Sequence, residues 1–274
     1  MNRRLGLAAV LLFSAVLLAA SFPVNWSQPV GSFAVYKGFM SRYRAYPDSG
    51  QEELSKQLFT LRTAIVGQEV RKERRKHKKE QTYYWVEYDI APGDDPKPSD
   101  YQRVKVLVRD DSFKKGAAWD AQEYMTQQGD EAPRWFTLSL SSEMNFLWIF
   151  RFLSPDYLTS KNVAGKEAIT QAGVRTDVPV YFFRGSRETP PAKTDYRSLK
   201  ENAQGKALVY DKVPFGLIRL DETFTEVTTY KTPQASVNRP ETYVTSFSLV
   251  LADSGTDGKS WFEGEPSDLR TTKD

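Results

Sequence analysis

Val104-Lys105-Val106-Leu107-Val108-Arg109 places a valine at every second position, with Lys105, Leu107 and Arg109 on the alternate set. A strand turns successive side chains to opposite sides of its sheet, so a period of two marks a half-buried strand rather than a helix. Outward from this stretch the alternation recurs in Thr82 to Ile90, Val178 to Phe183, Lys206 to Tyr210, Leu217 to Thr229 and Thr242 to Leu251. Turn-forming residues separate these segments at Pro92-Gly93-Asp94-Asp95, Ala172-Gly173 and Asp253-Ser254-Gly255. The spacing suits hairpins rather than strand–helix–strand crossovers, which predicts a mainly antiparallel β fold built on a curved sheet.

Two stretches between the early and late strands read as helices that cover the concave face. Trp119 to Gln128 lacks Gly and Pro and is rich in helix formers, and Ser141-Ser142-Glu143 offers a cap for a helix over Met144 to Leu153. The second helix belongs to a run from Trp135 to Leu153 that is too apolar for one amphipathic face. Its side chains either fill the open side of the sheet or close over an apolar cavity. In the cavity reading, Trp135, Phe136, Phe146, Trp148 and Phe150 contact the ligand.

The chain has 274 residues, 40% of them hydrophobic and 13% aromatic, enough to fill a core. Arg3 and Arg4, the apolar stretch Leu5 to Ala20 and the small residues Ala19-Ala20-Ser21 follow the pattern of a secretory signal over 1–21. A run of this length also approaches the ~20 residues of a membrane anchor, so export with cleavage and export with a retained tether both stand. The small residues and Pro23 favour cleavage and a periplasmic protein. Residues 22–265 read as a single β-rich domain, and 266–274 as a polar tail. Cysteine is absent, which excludes a disulfide framework and a thiol nucleophile. Lys and Arg number 38 against 35 Asp and Glu, and loss of Arg3 and Arg4 brings the two within one. That balance argues against a nucleic-acid partner.

Catalytic chemistry finds little footing. The one histidine, His77, lies in Arg71-Lys72-Glu73-Arg74-Arg75-Lys76-His77-Lys78-Lys79-Glu80, where neighbouring cations make it a poor base and a poor metal ligand. This stretch reads as the tip of a hairpin. It is either solvated or docked on an anionic membrane through Arg71, Lys72, Arg74, Arg75, Lys76, Lys78 and Lys79. The pairs Asp94-Asp95 and Asp110-Asp111 sit at strand ends as sequence neighbours, a poor arrangement for acid and base across a scissile bond. Asp253 to Gly258 begins like a calcium loop but lacks its third-position acid. No catalytic residue, metal site or cofactor is therefore expected.

Six short segments together resemble exported bacterial proteins of the lipoprotein-localisation carrier superfamily. They are Lys37 to Ala45, Ala64 to Glu69, Tyr84 to Glu87, Val104 to Val108, Gly165 to Gly173 and Val213 to Ile218. The resemblance implies an unclosed antiparallel half-barrel, its apolar concave face covered by helices and holding an acyl chain, a lipid or a lipoprotein as cargo. It implies no catalytic residues. The basic tip, the loops around Ala91 to Ser99 and Glu188 to Lys193, and a C-terminal extension depart from the best-known carriers. A non-catalytic carrier is thus the leading expectation. A cell-envelope interaction protein without a small ligand and a hydrolase built on Asp and Glu are the alternatives.

Overall fold

The structure is a computed structural model that describes residues 28–46, 50–72, 80–111, 121–129, 131–137, 160–171, 174–189, 197–230 and 240–262. Eleven strands form one open antiparallel sheet. In chain order they are β1 (Phe33–Tyr46), β2 (Gly50–Lys72), β3 (Glu80–Pro92), β4 (Gln102–Arg109), β5 (Ala121–Gln128) and β6 (Arg134–Thr137). The later half comprises β7 (Ser160–Gln171), β8 (Val174–Thr189), β9 (Arg197–Val209), β10 (Leu217–Tyr230) and β11 (Glu241–Gly255). Across the sheet the order is β6-β5-β4-β3-β2-β1-β11-β10-β9-β8-β7. Two meanders therefore meet where β1 pairs with β11, and the sheet's free sides among the described residues lie at β6 and β7.

Register sorts the side chains onto two faces, because residues paired across strands point the same way. One face carries Tyr36 and Met40 of β1, Phe59 and Leu61 of β2, Val86 and Tyr88 of β3, and Val104 and Val106 of β4. It continues through Phe247 and Leu249 of β11, Leu220 and Phe224 of β10, Ala207 of β9 and Phe183 of β8. All of these are buried in one cluster. Two glycines shape this face: a Cβ at Gly38 would collide with the ring of Phe59, and one at Gly205 would lie 2.5 Å from Cζ of Phe183. The Phe59 ring, seated over Gly38, stacks on Phe247 at 5.6 Å.

The expected helix over Trp119 to Gln128 is corrected: residues Ala121–Gln128 form β5 and pair with β4 from Gln102↔Gln128 to Val108↔Ala121. Helix propensities differ by less than ~1 kcal/mol per ordinary residue, and pairing β4 avoids an apolar strand with an open edge. The first residues of the aromatic run are strand as well, since Arg134–Thr137 forms β6 and pairs with β5. Among the described residues helical conformation is confined to the 3-10 turn Pro98–Asp100 and to Asp110 and Asp111 after β4. The helix expected over Met144 to Leu153 lies outside the described residues. Asp253-Ser254-Gly255 is likewise not a turn but the end of β11, paired with Val35, Ala34 and Phe33.

Candidate functional site

Glu222 interrupts the apolar face. Cross-strand pairing sets it in the row Phe183–Gly205–Glu222–Phe247–Met40, with Leu220 and Phe224 two positions away along β10. The residue is 3% exposed, and neither carboxyl oxygen has a hydrogen-bond partner. Burial alone holds its carboxyl well above the ordinary value of 4.5, which favours the neutral form with its one O–H donor. The apolar face ends near an ion pair, Arg42 Nη2 to Glu226 Oε2 at 3.1 Å, whose side chains are partly exposed.

A depression of about 800 Å³ lies over the same strands. It is lined by the row Phe182–Lys206–Asp221–Ser248–Phe39, which register places on the other face, and by Phe183, Gly205, Glu222 and Phe247. Phe182 is 54% exposed there, and Lys206 Nζ meets Glu167 Oε2 at 2.5 Å.

The second polar concentration lies on the face opposite the apolar cluster, across β2 to β4. Arg62 donates to Glu87 Oε1 at 3.0 Å and to Asp89 Oδ2 at 2.7 Å, with all three side chains almost wholly buried. Residues 257–262, following β11, form a strap over them. Ser260 Oγ donates to Glu87 Oε2 and the Trp261 N–H to Glu87 Oε1, each at 2.6 Å. Arg62 donates to the Lys259 carbonyl at 2.5 Å, and its guanidinium lies 4.2 Å from the Trp261 ring centre. Tyr101 meets the edge of the same indole, with ring centres 5.2 Å apart. Burial and the neighbouring Glu87 push Asp89 well up, against the pull of Arg62, and burial lowers Lys105. Two carboxylates sharing one guanidinium beneath a strap leave no cleft for a substrate between them, so this cluster gives no support to an Asp/Glu hydrolase.

The sequence-derived site residues are scattered relative to these features. Trp135 and Phe136 are consecutive positions of β6, opposite Met125 and Tyr124 of β5. Phe146, Trp148 and Phe150 lie outside the described residues. Strands β2 and β3 pair down to Lys72↔Glu80; Arg74, Arg75, Lys76, Lys78 and Lys79 lie outside the described residues. Lys72 is exposed. Arg71 is instead engaged by Glu69 and by both carboxylate oxygens of Glu123, at 2.6 and 3.1 Å. Sequence reading missed Glu222 and the Arg62 cluster. The available signal for Glu222 was its spacing: it falls between Leu220 and Phe224 on the apolar phase of β10.

Among the described residues no group of three or more His, Cys, Asp or Glu is placed to hold a metal ion, and no helix is long and apolar enough to cross a membrane. No protein-family model matches the chain, and no curated protein matches it.

Proposed function

We propose that this protein is an exported, non-catalytic binding or carrier module that takes an acyl chain, a lipid or the lipid part of a lipoprotein onto the apolar face of its sheet. The observation that carries the reading is the extent of that face: its buried apolar cluster runs across β8 to β11 and β1 to β4, and among the described residues its buried acids are Glu222 and, towards one end, Glu201. A folded protein ordinarily covers such a surface with its own elements or with a ligand. Native mass spectrometry of the full chain purified from its host is the test. Co-purifying lipid that organic extraction removes is the expected result, and a preparation that neither carries lipid nor takes up a fluorescent acyl probe overturns the reading.

A second reading, an envelope interaction protein, is favoured by β7. Among the described residues this 12-residue strand pairs only with β8, and Val163 on it is 63% exposed. An unpaired edge offers a row of backbone donors and acceptors to another chain's strand. Crosslinking from position 163 to a protein in the native envelope, in the absence of bound lipid, would favour this reading over the carrier.

A further inference from the structure

The open depression over β8 to β11 and β1 presents the face opposite the apolar cluster and takes no part in the carrier reading. Its accessible side chains form two rows. The first runs from Phe182 through Lys206, Asp221 and Ser248 to Phe39, and the second is Arg184–Gln204–Thr223–Ser246. Phe182 is 54% exposed and Phe39 half-buried, so an aromatic ring stands at each end of the first row with polar groups between them. Four strand spacings of ~4.8 Å separate the two ends, about 19 Å along the sheet. A second depression of about 510 Å³ shares Arg184, Gln204 and Thr223 with the first and adds Ser186, Asn202 and Thr225.

Each strand beneath the depression has a neighbour on both sides, so its backbone groups are used in the ladder and a ligand is read by side chains alone. That excludes an added peptide strand. An acyl chain laid here would strip water from Asp221, Gln204 and the hydroxyls of Thr223, Ser246 and Ser248 without replacing their hydrogen bonds. A polyanion meets cations already paired, Lys206 with Glu167 and Arg219 with Asp221. A sugar chain matches the whole surface. The C–H faces of its rings stack on aromatic side chains, and its hydroxyls both donate and accept. We propose that this face binds a neutral oligosaccharide of a few linked sugars, with Phe182 and Phe39 as stacking platforms and Gln204, Thr223, Ser246 and Ser248 reading the hydroxyls between them. Ser248 gives its own O–H to Asp221 at 2.8 Å, which leaves its oxygen as an acceptor for a sugar hydroxyl. The distance between the two rings suits a chain and not a single sugar.

The test measures binding of the full chain to cellohexaose, chitohexaose and isomaltohexaose, beside their parent monosaccharides and dextran sulfate. At least one hexamer should bind, and its monosaccharide should bind far more weakly. Phe182→Ala should weaken that hexamer several-fold to about tenfold, whereas Phe182→Tyr, which keeps the ring, should retain it. Gln204→Ala should weaken it as well. Phe182 and Gln204 are both exposed, so all three variants should keep the wild-type thermal midpoint, and a loss of binding then reports the site and not the fold. Folded wild type that binds none of the hexamers, tighter binding of dextran sulfate than of every neutral hexamer, or a hexamer affinity unmoved in both Phe182→Ala and Gln204→Ala overturns the inference. The carrier reading is untouched by any of these results, because it concerns the other face of the sheet.

Discussion

Arg62 sits at 2% exposure between Glu87 and Asp89, and every partner it has is distant in sequence, up to the Lys259 carbonyl. A buried ion cluster adds little net stability over well-packed apolar residues, yet removing one member leaves the others uncompensated, at about 3–5 kcal/mol. Arg62→Met is therefore expected to lose stability of that order by urea denaturation near pH 7, and to recover part of it in acid as Asp89, whose carboxyl burial already pushes up, takes up a proton. A loss that does not shrink on acidification would show that packing of the guanidinium against Trp261, not its charge, is what matters. Glu222 has the opposite dependence from a salt-bridged acid. Its folded value lies well above 4.5, so the unfolded chain gives up this proton first as pH rises, and stability falls through the window between the two values. The slope from one such group is at most about 1.4 kcal/mol per pH unit. Asp89 contributes with the same sign. Glu222→Gln should flatten the decline only in part, which urea titrations at a series of pH values would reveal. Glu222 left a trace in the sequence through its place between Leu220 and Phe224, but the Arg62 cluster was not legible. In a strand the positions of Arg62, Glu87 and Asp89 alternate with apolar ones and look solvated until the strap is seen to cover them.

Strands with strong alternation were legible as elements: Thr82 to Ile90, Leu217 to Thr229 and Thr242 to Leu251 all fall within β3, β10 and β11. Alternation is a local property of each segment, so it survives without knowledge of the partners. β5 was not legible, because Ala-Gln-Glu-Tyr-Met-Thr-Gln-Gln carries helix-forming residues and its strand state comes from pairing with β4. The extension past β11 was visible in the sequence only as a departure from the carriers it resembles, whereas its Trp261 and Ser260 close the Arg62 cluster. Trp261→Ala should cost about 1–3 kcal/mol, below the range for a fully buried tryptophan because the indole is 37% exposed. It should also speed hydrogen exchange in β2 and β3 around Arg62 while leaving β8 and β9 protected. The basic hairpin makes a separable prediction. Replacing Arg74, Arg75, Lys76, Lys78 and Lys79 with serine, and sparing Arg71 because Glu69 and Glu123 hold it, should leave the thermal midpoint within a few degrees. Binding to vesicles containing anionic phospholipid should drop, by about 1 kcal/mol for each cation that reaches the surface, and added salt should weaken the wild-type interaction likewise. Vesicle binding indifferent to both changes would remove the membrane role of the tip.

The whole molecule is organised around β1. It pairs with β2 on one side and with β11 on the other, so the chain's first and last described strands join the two meanders into a single sheet. Contacts of such sequence separation form late and hold the two halves in one cooperative unit. The antiparallel class and its hairpins could be read from spacing, but this closure could not, because nothing local in Phe33–Tyr46 specifies a partner 200 residues away. A difference between centre and edge follows. In a central strand each backbone N–H is used by one neighbour or the other, so proline removes a ladder bond wherever it is placed. On an edge strand successive N–H groups point alternately to the neighbour and away from it, and one of any two adjacent positions accepts proline. Met40→Pro and Ser41→Pro in β1 should each abolish the cooperative urea transition measured by tryptophan fluorescence and far-UV circular dichroism. Of Glu167→Pro and Ala168→Pro in β7, paired with β8 alone among the described strands, one should retain that transition with the two probes still coincident. If both β7 variants fail to fold, the far side of β7 is covered by another part of the chain, and the open edge offered to a partner strand in the interaction reading is lost.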